Sequence, residues 1–329
     1  MSRREAWGLF FGMLALACGL LCALLMGAPL GGVSEASRAR ILLDVRLPEA
    51  LAAAGVGAAL GLSGLLFQLA LRNTLADPYI MGIAGGAAFG STAALLLLGQ
   101  TAASLLLPAR AAAALVSGIA TLYAMRKISG GKVAALLLGG VIANTAFAAG
   151  ARLLAALLSP GQTAQVTVFL LGYIPAPPSW EPSILIGATA VAAFWALWRS
   201  RTLDLMLLGD EEAYSLGADA RAERWRVMVI ATILAAAAVT LSGMIGFVGL
   251  LVPHAARIVS GHRHRTLAPL SALLGAALLL FAHAASKELA PWLLLPVGAY
   301  TSIIGAPAFI WLMVRRSREM AAGRMREAD

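Results

Sequence analysis

The sequence predicts an all-α integral membrane protein of about ten transmembrane helices. Three observations carry that reading. Of the 329 residues, 60% are hydrophobic and only 12% are charged. The mean hydropathy is +0.84. Apolar runs of spanning length recur from one end of the chain to the other, at about 20 residues per crossing of a ~30 Å hydrocarbon core. A soluble domain with one buried core is excluded.

Taken in order, Trp7 to Gly27 is too long for a signal-peptide core and lacks a small-residue cleavage site, so it reads as a retained first span. Cys18 and Cys22 lie one helical turn apart inside it, where packing explains them better than a disulfide or metal site. Runs at 49–71, 82–99, 106–125, 133–158 and 183–198 supply five more spans. Residues 227–260 form one apolar run of 34, too long for a single straight crossing. Basic residues flank it on both sides, so it crosses twice, with a corner in "SGMIGFVGLLVP" from Gly243, Gly246, Gly249 and Pro253. A span at 268–286 follows. The stretch 293–314 is expected to begin as a short re-entrant helix, with the last span starting near Pro307.

This topology makes residues 1–329 one polytopic domain with both termini cytoplasmic, and it places 19 of the 25 basic residues inside. The basic balance is therefore an orientation signal and does not point to nucleic acid. All 16 Asp and Glu residues fall in loops, helix ends or tails, so no carboxylate is expected at depth to bind a driving ion. Nor is there a nucleotide site. In "ISGGKVAAL" the first glycine of a phosphate loop is missing and Val133 follows Lys132. No nucleophile and base, and no metal ligands, are spaced for catalysis, so the chain is read as no enzyme with no bound cofactor or metal. Any uphill transport then draws its energy from a partner.

The loop at about 200–226 packs ten charged residues around Gly209 and Gly217, with Leu, Met and Tyr interleaved. Two short amphipathic helices would form a knob for another protein's groove, or a solvated connector; charge pattern alone leaves both open. Glycine pairs Gly57/Gly61, Gly82/Gly86 and Gly86/Gly90 are four-residue steps that let helices approach closely. Between them, "RNTLADP" reads as a polar-capped reversal, since Pro78 cannot continue a helical ladder. Asn144 and Arg152 share a face of the fifth span, as path-lining residues or as buried hydrogen-bonding ones. His262 and His264 lie in a basic turn expected to be solvated, and with His254 and His283 they form no recognisable metal pair.

Five ordered blocks carry a resemblance. "VRLPEALAAAGVGAALGLSGLLFQLALRNTLADPYIMGIAGGAAFG", "LLGYIPAPPSWE", "LGDEEAYSLG", "GMIGFVGLLVPHAARIVSGHRHRTLAPLSALLGA" and "LPVGAYTSIIGAPAFIW" resemble FecCD-type permeases, the membrane subunits of ABC importers for cobalamin, iron-siderophore complexes and haem. The resemblance implies a type II ABC importer permease fold in a bacterial inner membrane. It also implies a homodimer with a central path and alternating access, two cytosolic ATPases that bind ATP and Mg, and a substrate-binding protein outside. The version "DPYIMGIAGG" is slightly closer to siderophore or cobalamin permeases than to haem ones. The competing reading is an ion-coupled secondary transporter.

The resemblance also implies site residues. Asp210, Glu211, Glu212, Tyr214, Leu216 and Gly217 match the family's coupling helices, which contact the ATPase. Arg46 and Lys287 match outer positions that meet the binding protein, with Arg38 and Arg40 nearby; Glu49 departs from a basic position of that pattern. Lys132, Val133 and Ala134 match the cytoplasmic gate but lack its hydroxyl pair, which leaves packing to close it.

Overall fold

The computed structural model describes residues 3–27, 34–79, 82–98, 103–129, 133–174, 180–289 and 295–328. Among the described residues every regular element is helical: α1 Arg3–Leu25, α2 Glu35–Arg40, a π-helical turn Ile41–Arg46 leading into α3 Leu47–Ala70, α4 Ile83–Leu98, α5 Ala103–Ser129, α6 Val133–Ala155, α7 Pro160–Leu170, α8 Trp180–Trp198, α9 Ser200–Leu205, α10 Asp210–Ser215, α11 Ala220–Ser242, α12 Val248–Ser260, α13 His264–Leu289 and α14 Val297–Ala328. Six helical stretches are long and apolar enough to cross a membrane, and three apolar helices are shorter.

The bundle is organised around α3. Its residues are buried over most of their length, and it packs against α13, α11, α8 and α12, while α1 lies on the outside of α13. Hydrophobicity does not drive helices together in lipid, so close backbone approach has to supply the contact. A Cβ on Gly57 would fall on the Gly275 carbonyl, and one on Gly61 would stand 2.5 Å from Ser271 O. Gly64 meets Gly249 backbone to backbone in the same way. The second glycine series forms a regular seam, with Gly82, Gly86 and Gly90 of the α4 segment facing Thr121, Ser117 and Ala113 of α5 at steps of four residues.

The 34-residue run is a hairpin, α11 followed by α12. Its corner is 243–247, with Gly243 at φ 68° and Phe247 left-handed at φ 68°. Pro253 is inside α12 and takes no part in the corner. A proline there leaves the carbonyl four residues earlier without its helical donor. That carbonyl belongs to Gly249, and Gln68 Nε2 of α3 donates to it at 3.0 Å. The expected helix break at Pro307 is likewise absent: α14 runs through it from Val297. An unpredicted element, α7, begins at Pro160 behind a capping box of Ser159 and Gln162.

α3 stops in a Schellman motif. The Arg72 amide donates to Leu69 O and the Asn73 amide to Gln68 O, both at 3.1 Å. Arg72 occupies the left-handed position, φ 45°, where glycine is usual. The chain then folds inward, and a Cβ on Gly249 would stand 2.8 Å from Pro78 Cδ. Gly64, the partner of Gly249, is six residues before the end of α3, about 9 Å along the helix. The reversal thus carries Asp77, 3% exposed, into the bundle. The residue does lie in a connection, as its proline neighbour implies, but that connection is folded inside.

Candidate functional site

The charged loop at 200–226 is a folded knob. Arg199, just beyond α8, grips Glu223 of α11 through two bonds of 2.9 and 3.0 Å, and Arg226 adds a third at 2.9 Å. Asp204 of α9 accepts from the His264 backbone at 2.9 Å and pairs with its Nδ1 at 2.7 Å. His264 is therefore buried and paired, contrary to the solvated role expected for it. Asp210, at the start of α10, joins Arg72 at 2.5 Å and also Arg224. Arg72 additionally donates to Met206 O at 3.1 Å.

These bonds sort the predicted coupling residues into two groups. Asp210 faces inward and ties the knob to the end of α3. Glu211, Glu212, Tyr214 and Leu216 face outward, with Tyr214 75% and Leu216 60% exposed. Gly217 at φ 81° turns the chain after α10, and Ala213 anchors the helix from beneath. The exposed surface is an apolar centre of Leu207, Leu208, Tyr214 and Leu216 beside carboxylates, the composition of a protein-docking patch.

The inward reversal links the same region to a cavity of about 420 Å³ lined by Asp77, Tyr79, Leu171, Met244, Phe247 and Gly298 among others. Asp77 Oδ1 accepts from the Tyr79 amide at 2.7 Å. Its Oδ2 lies over Gly249 and faces the Leu250 amide from outside hydrogen-bonding geometry. Phe247, the N-cap of α12, offers no side-chain bond, so Asp77 stands where a capping carboxylate would. Burial pushes its carboxyl up to about 6, against the partial offset of the two amides.

A carboxyl raised from 3.8 to about 6 on folding favours the folded state most when protonated, and that contribution is lost as pH rises through the folded value. Asp77→Asn is therefore expected to flatten the decline in thermal stability between about pH 4 and pH 7. Unfolding midpoints of the purified protein across that range check it; parallel curves for variant and wild type would refute it.

At the other end of α3, Arg46 is only 6% exposed and donates through Nη1 to Leu24 O at 2.8 Å and Leu25 O at 3.3 Å, capping α1. Lys287 pairs with Glu49, which also has His283 Nε2 at 3.6 Å. Both residues expected at the docking surface are thus engaged within the bundle. Arg38 and Arg40, on α2, are exposed. Asn144 accepts from the Gly85 amide at 2.7 Å and so caps α4, while Arg152 is exposed on α6. Val133 and Ala134 open α6, and Lys132 lies outside the described residues. Cys18 is exposed on α1, Cys22 is half-buried, and neither is in a disulfide. Among the described residues no group of three or more His, Cys, Asp and Glu is placed to hold a metal ion.

A glycine-packed helical bundle with spanning segments, a cavity at a broken hairpin and a knob anchored to the central helix fits the class of membrane transport permeases. The chain belongs to the FecCD transport family, whose sequence model matches residues 7–315. It is similar to the hemin transport system permease protein HmuU of Yersinia pestis, 34% identical over 288 residues, covering 86% of this chain and 85% of that protein. It is 37% identical over 279 residues to the vitamin B12 import system permease protein BtuC of Vibrio vulnificus, covering 84% and 83%. Among solved structures, a chain described as an inward-facing conformation of a metal-chelate-type ABC transporter superposes with a TM-score of 0.81 at 29% identity, covering 94% of this chain and 99% of that one.

Proposed function

We propose that the chain is the membrane permease subunit of an ATP-driven ABC importer for a metal-chelate cargo: an iron-siderophore, cobalamin or haem. The observation that carries this reading is the knob. Its apolar tip faces out for an ATPase while Asp210, Arg72 and Asp204 fasten its base to the bundle. In this reading the subunit has ten spans in the type II fold, with both termini cytoplasmic in a bacterial inner membrane. Two copies enclose one path with alternating access, to which each contributes the cavity beside Phe247. The chain is no enzyme, and ATP and Mg are bound in the two ATPase subunits. Outside, the exposed Arg38 and Arg40 meet acidic residues of a binding protein, setting its orientation and encounter rate. The gate at Lys132, Val133 and Ala134 closes by packing, and Arg152 borders the path.

Asp77 favours a second reading, ion-coupled secondary transport, because a buried carboxylate beside a broken helix is a site for a driving ion. Reconstitution separates the two. The purified permease in liposomes is expected to accumulate no ferric siderophore, cyanocobalamin or haem under a proton or sodium gradient, and to do so for one of them once ATPase, binding protein and ATP are supplied. Removing Arg38 and Arg40 is expected to slow uptake most at low salt. Uphill uptake by the permease alone would overturn the ABC reading.

A further inference from the structure

Phe247 stands between two cavities. One is the 420 Å³ cavity, which also has Asp77, Tyr79 and Ser302 in its wall. The other, about 240 Å³, lies among α12, α13 and α14 and is lined by Leu251, Phe281, Ala285, Thr301 and Gly305 among others. Among the described residues Phe247 alone lines both. Neighbours on α14 divide between the two sides, Ser302 facing the larger cavity and Thr301 the smaller. The smaller cavity is almost wholly apolar, and the Thr301 hydroxyl is turned onto its own helix, donating to Gly298 O at 3.0 Å.

Local chemistry argues against phenylalanine at position 247 twice over. Its φ of 68° is left-handed, where a bulky side chain is an outlier, and it is the N-cap of α12, where Ser, Thr, Asp, Asn or Gly is favoured. Glycine would meet both demands, and the same corner has it at Gly243 and Gly246. A phenylalanine set against both preferences is there for its ring. The facing helix makes room for that ring: a Cβ on Gly305 of α14 would stand 2.6 Å from Phe247 Cβ and 2.8 Å from its Cγ. An apolar cavity of about 150 Å³ holds a benzene molecule. The 240 Å³ cavity is therefore large enough to receive the ring. We infer that the Phe247 ring is a movable partition of the translocation path, which separates the two cavities and turns into the smaller one to widen the larger as cargo passes. The widening rests on the permease reading, whereas the partition itself does not.

The test has two arms on the full-length chain. In the first, Cys18 and Cys22 are replaced by Ser, and single thiols are introduced as Ser302→Cys or Thr301→Cys in nanodiscs. A water-soluble methanethiosulfonate reagent is expected to label the first readily and the second at least about tenfold more slowly. Adding Phe247→Gly, which suits the backbone and removes the ring, is expected to raise the Thr301→Cys rate about tenfold while the Ser302→Cys rate stays within about threefold. The second arm uses the transporter assembled with ATPase and binding protein, and whichever of ferric siderophore, cyanocobalamin or haem the wild type accumulates. Ala285→Phe fills the smaller cavity from α13 and is expected to slow uptake about tenfold with ATPase pull-down unchanged. Combining it with Phe247→Gly is expected to bring uptake back to within about threefold of Phe247→Gly alone, a rescue that mere damage to packing does not produce. An unchanged Thr301→Cys rate without the ring, wild-type uptake by Ala285→Phe, or a slow Ala285→Phe that ring removal leaves slow would each overturn the inference. A wild-type assembly that accumulates none of the three cargoes overturns the permease reading instead, and the labelling arm still decides the partition.

Discussion

Gly57→Leu is expected to yield no folded permease. The site leaves nowhere to put a side chain, because the neighbouring atoms belong to the Gly275 backbone, so a Cβ displaces a whole helix. Overpacking of a core costs about 1–3 kcal/mol when side chains can adjust. Here they cannot, so Gly57→Ala already belongs at the upper end of that range or above it, and the three further carbons of leucine separate α3 from α13. Since α3 is also the helix against which α11, α8 and α12 pack, the damage is not local. Gly187 of α8 is the control: nothing lies within 4 Å of its Cβ position. Gly187→Ala should be neutral or slightly stabilising through helix propensity. Size-exclusion profiles and membrane yields of the three variants check the ranking; a monodisperse Gly57→Leu protein with wild-type yield would refute it.

The second large effect is expected where the knob meets α3. Arg72→Gly keeps the left-handed residue that ends the helix, and it removes a side chain that was strained there. It also deletes the bonds from Arg72 to Asp210 and Met206 O. The variant should fold normally and still bind the ATPase, because the exposed tip at Tyr214 and Leu216 is untouched. Uptake should nevertheless fall by about tenfold or more, about 1.4 kcal/mol of lost coupling free energy, since the knob has lost its tie to the central helix. Leu216→Asp should fail in the opposite way, losing ATPase association while the isolated bundle stays intact. ATPase pull-down measured beside uptake distinguishes the two. Wild-type uptake by Arg72→Gly would show that force does not pass through this contact.

What was legible in the sequence was periodic or local. Apolar run length marked the six helical stretches long enough to span, the 34-residue run declared its hairpin, and the four-residue glycine steps marked the seams at Gly275 and along α5. Local chemistry could also have revealed α7, since Ser159-Pro160 with Gln162 is a helix-start signal; its 11 residues fell between the apolar runs at 133–158 and 183–198 and were assigned to no element. Side-chain destinations were not legible. Asp210 has partners at Arg72, 138 residues away, and Arg224, 14 away, and nothing in "LGDEEAYSLG" says that the first carboxylate turns inward while the next two face water. Arg46 and Lys287 read as surface charges because the topology put them outside, but the bundle uses one as a cap and the other as the counter-ion of Glu49. Pro253 and Pro307 read as breaks, although proline is tolerated within a helix when another group satisfies the freed carbonyl, as Gln68 does for Gly249.

The contact of Gly57 with Gly275 also has a consequence for biosynthesis. The two residues are 275 − 57 = 218 positions apart. At about 5–20 residues per second, a ribosome needs roughly 10–40 s to make that interval. Throughout it, the grooved face of α3 has left the ribosome before the helix that fills it exists. The nascent chain must spend that time with its central helix sheltered by lipid, by the insertion machinery or by provisional neighbours, and the bundle can close only after α13 has been made.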